Sequence, residues 1–261
     1  ILKLNSNGIL VWQKTFGGGL DDFAYSIQNT AGGGYIVAGC TKSFGTGGYD
    51  VYVLKLNSDG SLAWQKTFGG NDDDRAYSIQ QTTDGGYIVA GEMAGYVCVL
   101  KLNSDGSSEW QKTFGGGSAY SIQQTTDGGY IVGGSKYAEF YVLKLNSDGS
   151  LAWEKMFGGV YSDYAWSVKQ TTDGGYIVSG YTESFFGTID KDAYVLKLNS
   201  DGSLAWQRTF GGNSYDEAYS IQQTTDDGYI VAGYTCSFGE NGNPDIYILK
   251  LDSNGELHPF E

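Results

Sequence analysis

The residues that could do chemistry in this chain are carboxylates, and they recur at two places in a repeated pattern. One group stands before four of the five AYSIQQT-like segments: Asp21, Asp22, Asp72, Asp73, Asp74, Asp163, Asp216 and Glu217. The other stands before or just within YVLKL-like segments: Asp50, Asp190, Asp192 and Asp245. Aromatic residues lie among them: Phe44, Tyr49, Phe185, Phe186 and Phe238. This mixture predicts a surface for a sugar or a cationic partner, with Ca²⁺ as an additional ligand. The alternative is a solvated surface whose Asp residues cap turns and whose rings pack into their own loops.

The sequence offers few other combinations of residues that could act in catalysis. The single histidine is His258, in the C-terminal tail, so a Ser-His-Asp triad or a histidine metal site would have to use it. The three cysteines form no CxxC motif, and we expect Cys98 to be a buried packing residue. A disulfide between Cys40 and Cys236 stays open. The FGGG and FGGN segments precede strands rather than helices, so they predict turns and no phosphate loop.

Composition and charge restrict the class of partner. The chain has 261 residues, 40% of them hydrophobic, with 41 glycines, 2 prolines and a net charge of −14. Short apolar segments between glycine turns predict an all-β domain, and the acidic balance disfavours nucleic acid and anionic membranes. No apolar run is long enough to cross a bilayer. The sequence starts at Ile1 within a repeat, so we expect more chain upstream.

A repeat organises the whole chain. The segment VLKLNSDGSLAWQKTFGG at Val53–Gly70 recurs with little change and carries an in-frame tryptophan: Trp12, Trp64, Trp110, Trp153 and Trp206. Each repeat contains four strand-like pieces, A to D, which in the second repeat are Ala76–Thr82, Tyr87–Gly91, Tyr96–Leu102 and Ser108–Phe114. TDGG joins A to B and NSDG joins C to D, and both are tight turns whose glycines supply positive φ.

Four antiparallel strands in each of five repeats predict a five-bladed β-propeller that occupies residues 1–261 as one domain. The predicted A strands begin at Ala24, Ala76, Ala119, Ala165 and Ala218. The C-terminal tail is a poor D strand because Pro259 stands at the tryptophan position. We therefore expect the N-terminal strand, residues 9–16, to close the last blade. Ile1–Leu4 is then a surplus C strand that competes with Ile248–Leu251. Either the N-terminal hairpin supplies both outer strands, or the first residues lie outside the ring, or the strand is exchanged between molecules or left by truncation of a longer array.

The pattern AYSIQQTTDGGYIVAGYT followed by DVYVLKLNSDGSLAWQKTFGG resembles the bacterial and archaeal extracellular β-propeller repeats of the SBBP type. It is also similar to the PQQ-dehydrogenase-like propeller repeat and to its turn-and-tryptophan docking motif. The resemblance covers essentially the whole chain. It implies that strand A is innermost and strand D outermost, and it implies a secreted or cell-surface protein. No catalytic residue and no quinone site carries over.

Loop lengths point to one face. The A–B and C–D turns are short and uniform, whereas the B–C loops differ: Gly39–Lys55, Gly180–Lys197 and Gly233–Lys250 are longer than Gly91–Lys101 and Gly134–Lys144. Functional residues concentrate in variable loops. The predicted ligand-binding residues on this face are Phe44, Tyr49, Asp50, Phe185, Asp190, Asp192, Phe238 and Asp245.

The A strands carry a second candidate, a row of amides with one cation. The residues predicted to line the central channel are Gln28, Gln80, Gln123, Lys169 and Gln222. A ring of amides can bind a small polar ligand, or it can simply hold water. Lys169 is the single break in the row, so it is the residue to test.

The leading functional hypothesis is a non-catalytic extracellular binding or scaffold module for a glycan or a protein partner. One alternative is a propeller-type hydrolase or lyase, which needs two carboxylates that converge in a pocket. Another is a structural subunit of a surface assembly that self-associates through Ile1–Leu4.

Overall fold

The computed structural model describes residues 1–184, 190–239 and 242–257. Every regular element in these ranges is a β-strand, as the alternation of short apolar segments and glycine turns predicts. The chain divides into two compact units, Ile1–Phe114 and Gly115–Glu261. None of the described residues forms a helix long and apolar enough to span a lipid bilayer.

The first unit contains an N-terminal hairpin, a four-stranded sheet in the order β3-β4-β5-β6, and the strands β7, β8 and β9 with the start of β10. Its strands are β1 (Leu2–Leu4), β2 (Leu10–Gln13), β3 (Asp22–Asn29), β4 (Tyr35–Thr41), β5 (Asp50–Leu56), β6 (Leu62–Phe68), β7 (Asp74–Gln81), β8 (Tyr87–Met93), β9 (Tyr96–Leu102) and β10 (Ser108–Gln124), the last of which continues into the second unit.

The second unit contains the remainder of β10 with three further strands, a four-stranded sheet β14-β15-β16-β17 and a three-stranded sheet β18-β19-β20. Its strands are β11 (Tyr130–Lys136), β12 (Glu139–Leu145), β13 (Leu151–Phe157), β14 (Asp163–Gln170), β15 (Tyr176–Thr182), β16 (Asp192–Leu198), β17 (Leu204–Phe210), β18 (Asp216–Gln223), β19 (Tyr229–Thr235) and β20 (Asp245–Leu251). All pairings between neighbours are antiparallel, as short local turns require.

The predicted A strands are all present, but four of them begin two residues earlier than expected. They start at the aspartates Asp22, Asp74, Asp163 and Asp216, because the backbone of each aspartate already pairs with strand B, as Asp163 does with Thr182. The predicted D and A strands around Gly115 form one continuous strand, β10.

The prediction that the N-terminal strand closes the last blade differs from the observed pairing. β2 pairs with β1, its own hairpin neighbour, in a two-stranded sheet. The short Asn5–Ile9 connection brings β1 to β2 locally, so β1 takes the position beside β2 that the closing arrangement assigns to β20. The surplus strand Ile1–Leu4 thus belongs to this local hairpin.

Within each unit, D-strand tryptophans dock on the following sheet. Trp64 meets the ring of Tyr87 edge-on at 5.8 Å, and Trp153 meets Tyr176 at 5.7 Å. A Cβ on Gly106, whose φ is +80°, would lie 2.9 Å from the Trp64 ring. The glycine of the NSDG turn therefore serves both the left-handed turn and the close approach of the indole. The docking motif implied by the resemblance is present.

The core lies between successive sheets within each unit. In the first unit, Val51 and Val53 of one sheet pack with Ala76 and Ile79 of the next. In the second unit, Ala193 and Val195 pack in the same way with Ile221. Cys98 is buried in this core, as predicted, and all three cysteines are free thiols.

Candidate functional site

Every A strand has a β-bulge, and the extra residue is always aromatic. The strand register shifts between Ala165 and Ser167 in β14 and at the equivalent point of the other four A strands. The bulged residues are Tyr25, Tyr77, Tyr120, Trp166 and Tyr219. Bulges redirect side chains and are common beside binding sites. The repeat therefore places one aromatic ring at the equivalent point of each A strand.

A glycine in strand B makes each bulge possible. A Cβ on Gly180 would lie 1.7 Å from the carbonyl oxygen of Tyr164, and one on Gly233 would lie 1.7 Å from that of Glu217. The residue two positions before each bulged aromatic thus presses its carbonyl onto the facing strand, where only a glycine leaves room. This explains the glycine of each YIVAG-like segment.

In the second unit these rings merge into a continuous cluster, which we call the Trp166 surface. Its members are Tyr120, Tyr164, Trp166, Tyr181, Tyr219 and Tyr234. The Trp166 ring lies 4.5 Å from that of Tyr120 and 6.0 Å from that of Tyr219. Tyr219 is 50% exposed, whereas Tyr181 is buried. The cluster therefore has an anchored base and an open side.

A buried carboxylate fixes this surface. Glu217, 4% exposed, accepts hydrogen bonds from Trp166 Nε1 at 3.1 Å and from the Tyr234 hydroxyl at 3.2 Å. Lys191 Nζ forms an ion pair with Glu217 at 2.7 Å and lies 4.2 Å above the Tyr181 ring. Burial and the nearby Glu217 charge raise the pKa of Tyr234, so its hydroxyl stays protonated as a donor. The indole is therefore held in one orientation.

The first unit has a different cluster, around Tyr49. The Tyr49 ring lies between Lys42 Nζ at 4.4 Å and the Arg75 guanidinium at 4.8 Å. Arg75 also pairs with Asp73, which accepts a hydrogen bond from the Tyr49 backbone. The predicted residue Tyr49 is thus already enclosed by cations of the chain itself.

The aspartates that open the A strands act as loop clamps. Asp163 accepts hydrogen bonds from Thr182 and Ser184 of the B–C loop and from the Gly159 backbone of the D–A connection. Asp22 repeats this pattern with Thr41, Ser43 and Gly18. The hydrogen bonds favour the ionised form, so the pKa of Asp22 is lowered although its partial burial opposes the shift. These carboxylates follow the turn-capping alternative.

Two of the predicted site residues, Asp50 and Asp192, each lie beside the carboxylate of a clamp aspartate. A Cβ on Gly211 would lie 2.2 Å from Asp192 Oδ1 and 2.7 Å from Asp216 Oδ2. A Cβ on Gly69 would likewise lie close to the side-chain oxygens of both Asp50 and Asp74. Burial, with the charges of Asp216 and Asp190, raises the pKa of Asp192 to about 6. Asp50, Asp74, Asp192 and Asp216 are all at most 7% exposed, so the pairs lie beneath the loops.

The predicted loop aromatics behave individually. Phe44 packs on Tyr52 at 5.6 Å, and Phe238 packs on Tyr247 at 5.7 Å while 63% of it stays exposed. Asp245 is exposed at the start of β20, and Asp190 is partly buried. Phe185, like Phe186 and His258, lies outside the described residues. Phe44 and Phe238 thus each contact a tyrosine of their own sheet, and a shared binding surface on the loop face stays a prediction.

The predicted channel residues occupy equivalent register positions. Lys169 pairs with Ile177 just as Gln123 pairs with Ile131 and Gln222 with Ile230. Gln123 Oε1 accepts a hydrogen bond from the backbone of Gln170 on the adjacent A strand. Lys169 forms no hydrogen bond or ion pair with any described residue, and partial burial lowers its pKa. That the row lines a channel stays a prediction.

Two cavities accompany these clusters. One of about 410 Å³ in the second unit is lined by Asp173, Lys197, Trp206 and Asp227 on the side of the short turns. One of about 200 Å³ in the first unit lies between Phe16 and the first sheet. The described ranges contain no group of three or more His, Cys, Asp or Glu residues arranged to hold a metal ion.

Comparison with known proteins fits this repeat geometry. The PQQ_2 family model, described as outer membrane protein assembly factor BamB, matches residues 50–256. The chain belongs to the PQQ_2 family. A second model, described as a β-propeller domain of unknown function, matches residues 33–62. The resemblance to PQQ-like propeller repeats is thus confirmed. A search of curated protein sequences gives no match.

Solved structures share the fold of this PQQ_2 chain at low identity. The Pan2 WD40 domain of Neurospora crassa is 12% identical with a TM-score of 0.61, over 90% of this chain and 64% of that chain. Sqt1 from Chaetomium thermophilum is 11% identical with a TM-score of 0.59, over 99% and 64%. A Lactobacillus plantarum protein is 15% identical with a TM-score of 0.56, over 90% and 69%. The chain thus spans about 64% of the length of the first two structures.

The sequence-based site prediction missed the Trp166 surface. Its signal was present, because Trp166 stands where the other A strands carry tyrosine, and Glu217 stands where they carry Phe23, Arg75, Ser118 and Tyr164. Both residues depart from the repeat, whereas the predicted loop residues were chosen for charge and loop length.

Proposed function

We propose that this PQQ_2 chain is a non-catalytic binding module that holds a carbohydrate on the Trp166 surface. A partly exposed indole, fixed by a buried Glu217 and flanked by tyrosines, carries the proposal. Aromatic faces pack against the apolar C–H faces of pyranose rings, and tyrosine hydroxyl groups hydrogen-bond to sugar hydroxyls. A pre-oriented platform also loses little conformational entropy when the ligand binds.

The net charge of −14 favours a sugar over a nucleic acid as the ligand of this surface. Ion pairing with Lys191 neutralises Glu217, so the platform itself carries little net charge. Secretion or display at the cell surface is part of the proposal and rests on the resemblance to extracellular repeats.

The test is a glycan array followed by calorimetry on the best ligand. We expect Trp166→Ala to weaken binding about five- to tenfold, since stacking on a ring contributes about 1–1.5 kcal/mol. Trp166→Tyr restores the residue of the other repeats and should keep most of the affinity. Tyr77→Ala, at the equivalent bulge of the first unit, is the matched control. Equal loss in both alanine variants, or no glycan bound, would refute the proposal.

An enzymatic alternative rests on the carboxylate pairs Asp50–Asp74 and Asp192–Asp216. It requires substrate to reach them, whereas they are buried and hydrogen-bonded as loop clamps. If the bound glycan is cleaved, and Asp192→Asn stops cleavage without unfolding the chain, this alternative replaces the binding proposal.

A structural role is the second alternative. Leu2 and Leu4 of the N-terminal hairpin are 64% and 53% exposed, which favours self-association through Ile1–Leu4. The family description, an outer membrane assembly factor, likewise suggests protein partners. We also propose that the fold has five blades in a closed ring. In that ring residues 9–16 complete the last blade and displace β1. Light scattering on Leu2→Ser/Leu4→Ser and on the unmodified chain separates assemblies from monomers.

A further inference from the structure

Strand β14, which carries Trp166, also carries Lys169, the single cation among the residues predicted to line the channel. Lys169 follows Trp166 by three residues in β14, a distance of about 10 Å along a strand. Trp166 contacts Glu217 and Tyr219 of the next A strand, β18. Gln123, the counterpart of Lys169 on β10, likewise bonds to its next A strand. Because the bulge interrupts the alternation of side chains, Trp166 and Lys169 face the same neighbour although they stand three residues apart. That span matches roughly two pyranose rings, so a ligand stacked on Trp166 can reach Lys169 by extending along the strand.

Lys169 lacks the counterion that the strand-C lysines of four repeats possess. Lys101, Lys144 and Lys197 each form an ion pair within 3 Å with the aspartate of an A–B turn. Lys169 makes no such contact with any described residue, and removal of its surrounding water lowers its pKa. A partly desolvated ammonium without an acceptor is a favourable place for an anionic group of a ligand.

The neighbouring A strands show that the lysine is not needed for folding. Gln123 and Gln222 occupy the same register position on the strands next to β14. An amide therefore satisfies the structural requirement at this point, and the lysine adds only length and charge.

Resting on the proposed carbohydrate binding, we infer that the ligand is an acidic saccharide, with a uronic-acid carboxylate held by Lys169 while a neighbouring ring stacks on Trp166. The chain's net charge of −14 repels such a ligand at long range. At about 0.15 M salt that repulsion is screened beyond roughly 8 Å, whereas direct contact with Lys169 is not. Selectivity for the acid should therefore persist at physiological ionic strength.

The experiment compares tetragalacturonic acid with its fully methyl-esterified form, which has the same backbone without charge. In calorimetry at 0.15 M salt we expect the acid to bind about tenfold more tightly than the ester. Lys169→Gln should remove that difference by weakening acid binding alone, Lys169→Arg should retain it, and Trp166→Ala should weaken both forms. NMR should also show the Lys169 Nζ signal shifting when the acid is added.

The outcomes separate this inference from the proposed function. If acid and ester bind equally, or if only other neutral glycans bind, the acidic-sugar inference is wrong and the carbohydrate-binding proposal stands. If Lys169→Gln weakens the ester as much as the acid, the lysine acts on the fold and the inference also fails. If no glycan binds at all, both are wrong.

Discussion

One repeat lacks an ion pair that the others have, and restoring it tests how the buried lysines are stabilised. In four repeats the lysine of strand C pairs with the aspartate of the A–B turn, as Lys101 does with Asp84 at 2.8 Å. In the first repeat Gly32 stands at the aspartate position, and Lys55 reaches only the Thr30 hydroxyl and the Leu56 carbonyl. Burial lowers the pKa of Lys55, as expected for a desolvated cation without a counterion.

Gly32→Asp should supply the missing carboxylate without strain. Gly32 lies outside the left-handed region, and nothing stands within 4 Å of a Cβ built there. The pKa of Asp84 falls to about 2, because contacts with Lys101, Thr82 and Gly86 outweigh its burial. A fully enclosed pair with that shift would contribute about 2.5 kcal/mol. The Asp84 side chain is 56% exposed, so screening reduces the pair to about 1 kcal/mol. Replacing a glycine also reduces the conformational entropy of the unfolded chain, which adds roughly 0.5 kcal/mol to the free energy of unfolding.

We therefore expect Gly32→Asp to raise the free energy of unfolding by about 1–2 kcal/mol at pH 7, measured by urea denaturation with tryptophan fluorescence. A carboxyl whose pKa is lower in the folded state stabilises above its unfolded pKa, so the charge-dependent gain should fade from about pH 4 to pH 2. Gly32→Asn keeps the turn geometry without charge, and Lys55→Met completes a double-mutant cycle. An equal gain from Asn and Asp, or a coupling near zero with Lys55, would refute the counterion argument.

Three further predictions concern the glycines and the clamps. Gly180→Ala should destabilise the fold by about 3 kcal/mol or more in urea denaturation, because its Cβ would lie 1.7 Å from the Tyr164 carbonyl oxygen; Gly174→Ala in an open turn is the control, with the smaller loss expected for a positive φ. Asp227 takes the left-handed position that glycine holds in the other A–B turns, so Asp227→Gly should raise the melting temperature slightly, and a decrease would assign the aspartate a stabilising contact. Asp192→Asn should stabilise by about 1–3 kcal/mol at pH 7 and progressively less towards pH 4, because a carboxyl with its folded pKa raised to about 6 lowers stability as the pH rises; exposed Asp245→Asn should leave that pH dependence unchanged.

Local sequence signals predicted the local structure well. Turn glycines such as Gly85 and Gly106 have the positive φ that their TDGG and NSDG contexts require. The tryptophan dock was implied by the resemblance to PQQ-like repeats, and the contact between Trp64 and Gly106 confirms it. These features depend on neighbours in the chain or in the adjacent repeat, so a single sequence encodes them directly.

The features that the sequence did not reveal depend on contacts between distant residues. The bulge at Trp166 arises from its register against Gly180, which no alternation of apolar residues announces. The role of Asp163 as a clamp needs Thr182 and Ser184 in place, so its carboxylate looked like a site residue. β2 pairs with β1, its neighbour in the hairpin, whereas closure of the ring by residues 9–16 needs a partner far away in the sequence and stays a prediction.

The departures from the repeat are more informative than the repeat itself. Trp166 and Lys169 replace the tyrosine and the glutamine typical of their positions, and Glu217 stands at a position that differs in every repeat. All three lie on the adjacent A strands β14 and β18. In a repeat fold each unit is stabilised mainly by its nearest neighbours, so A-strand side chains outside the core can change without altering the scaffold. The glycines and docked tryptophans do not vary and hold the bulge in place. The bulge in turn sets the position of the aromatic ring. Selection for a ligand can then act on these three positions alone, which is why the variants at Trp166 and Lys169 are expected to alter binding while leaving the fold intact.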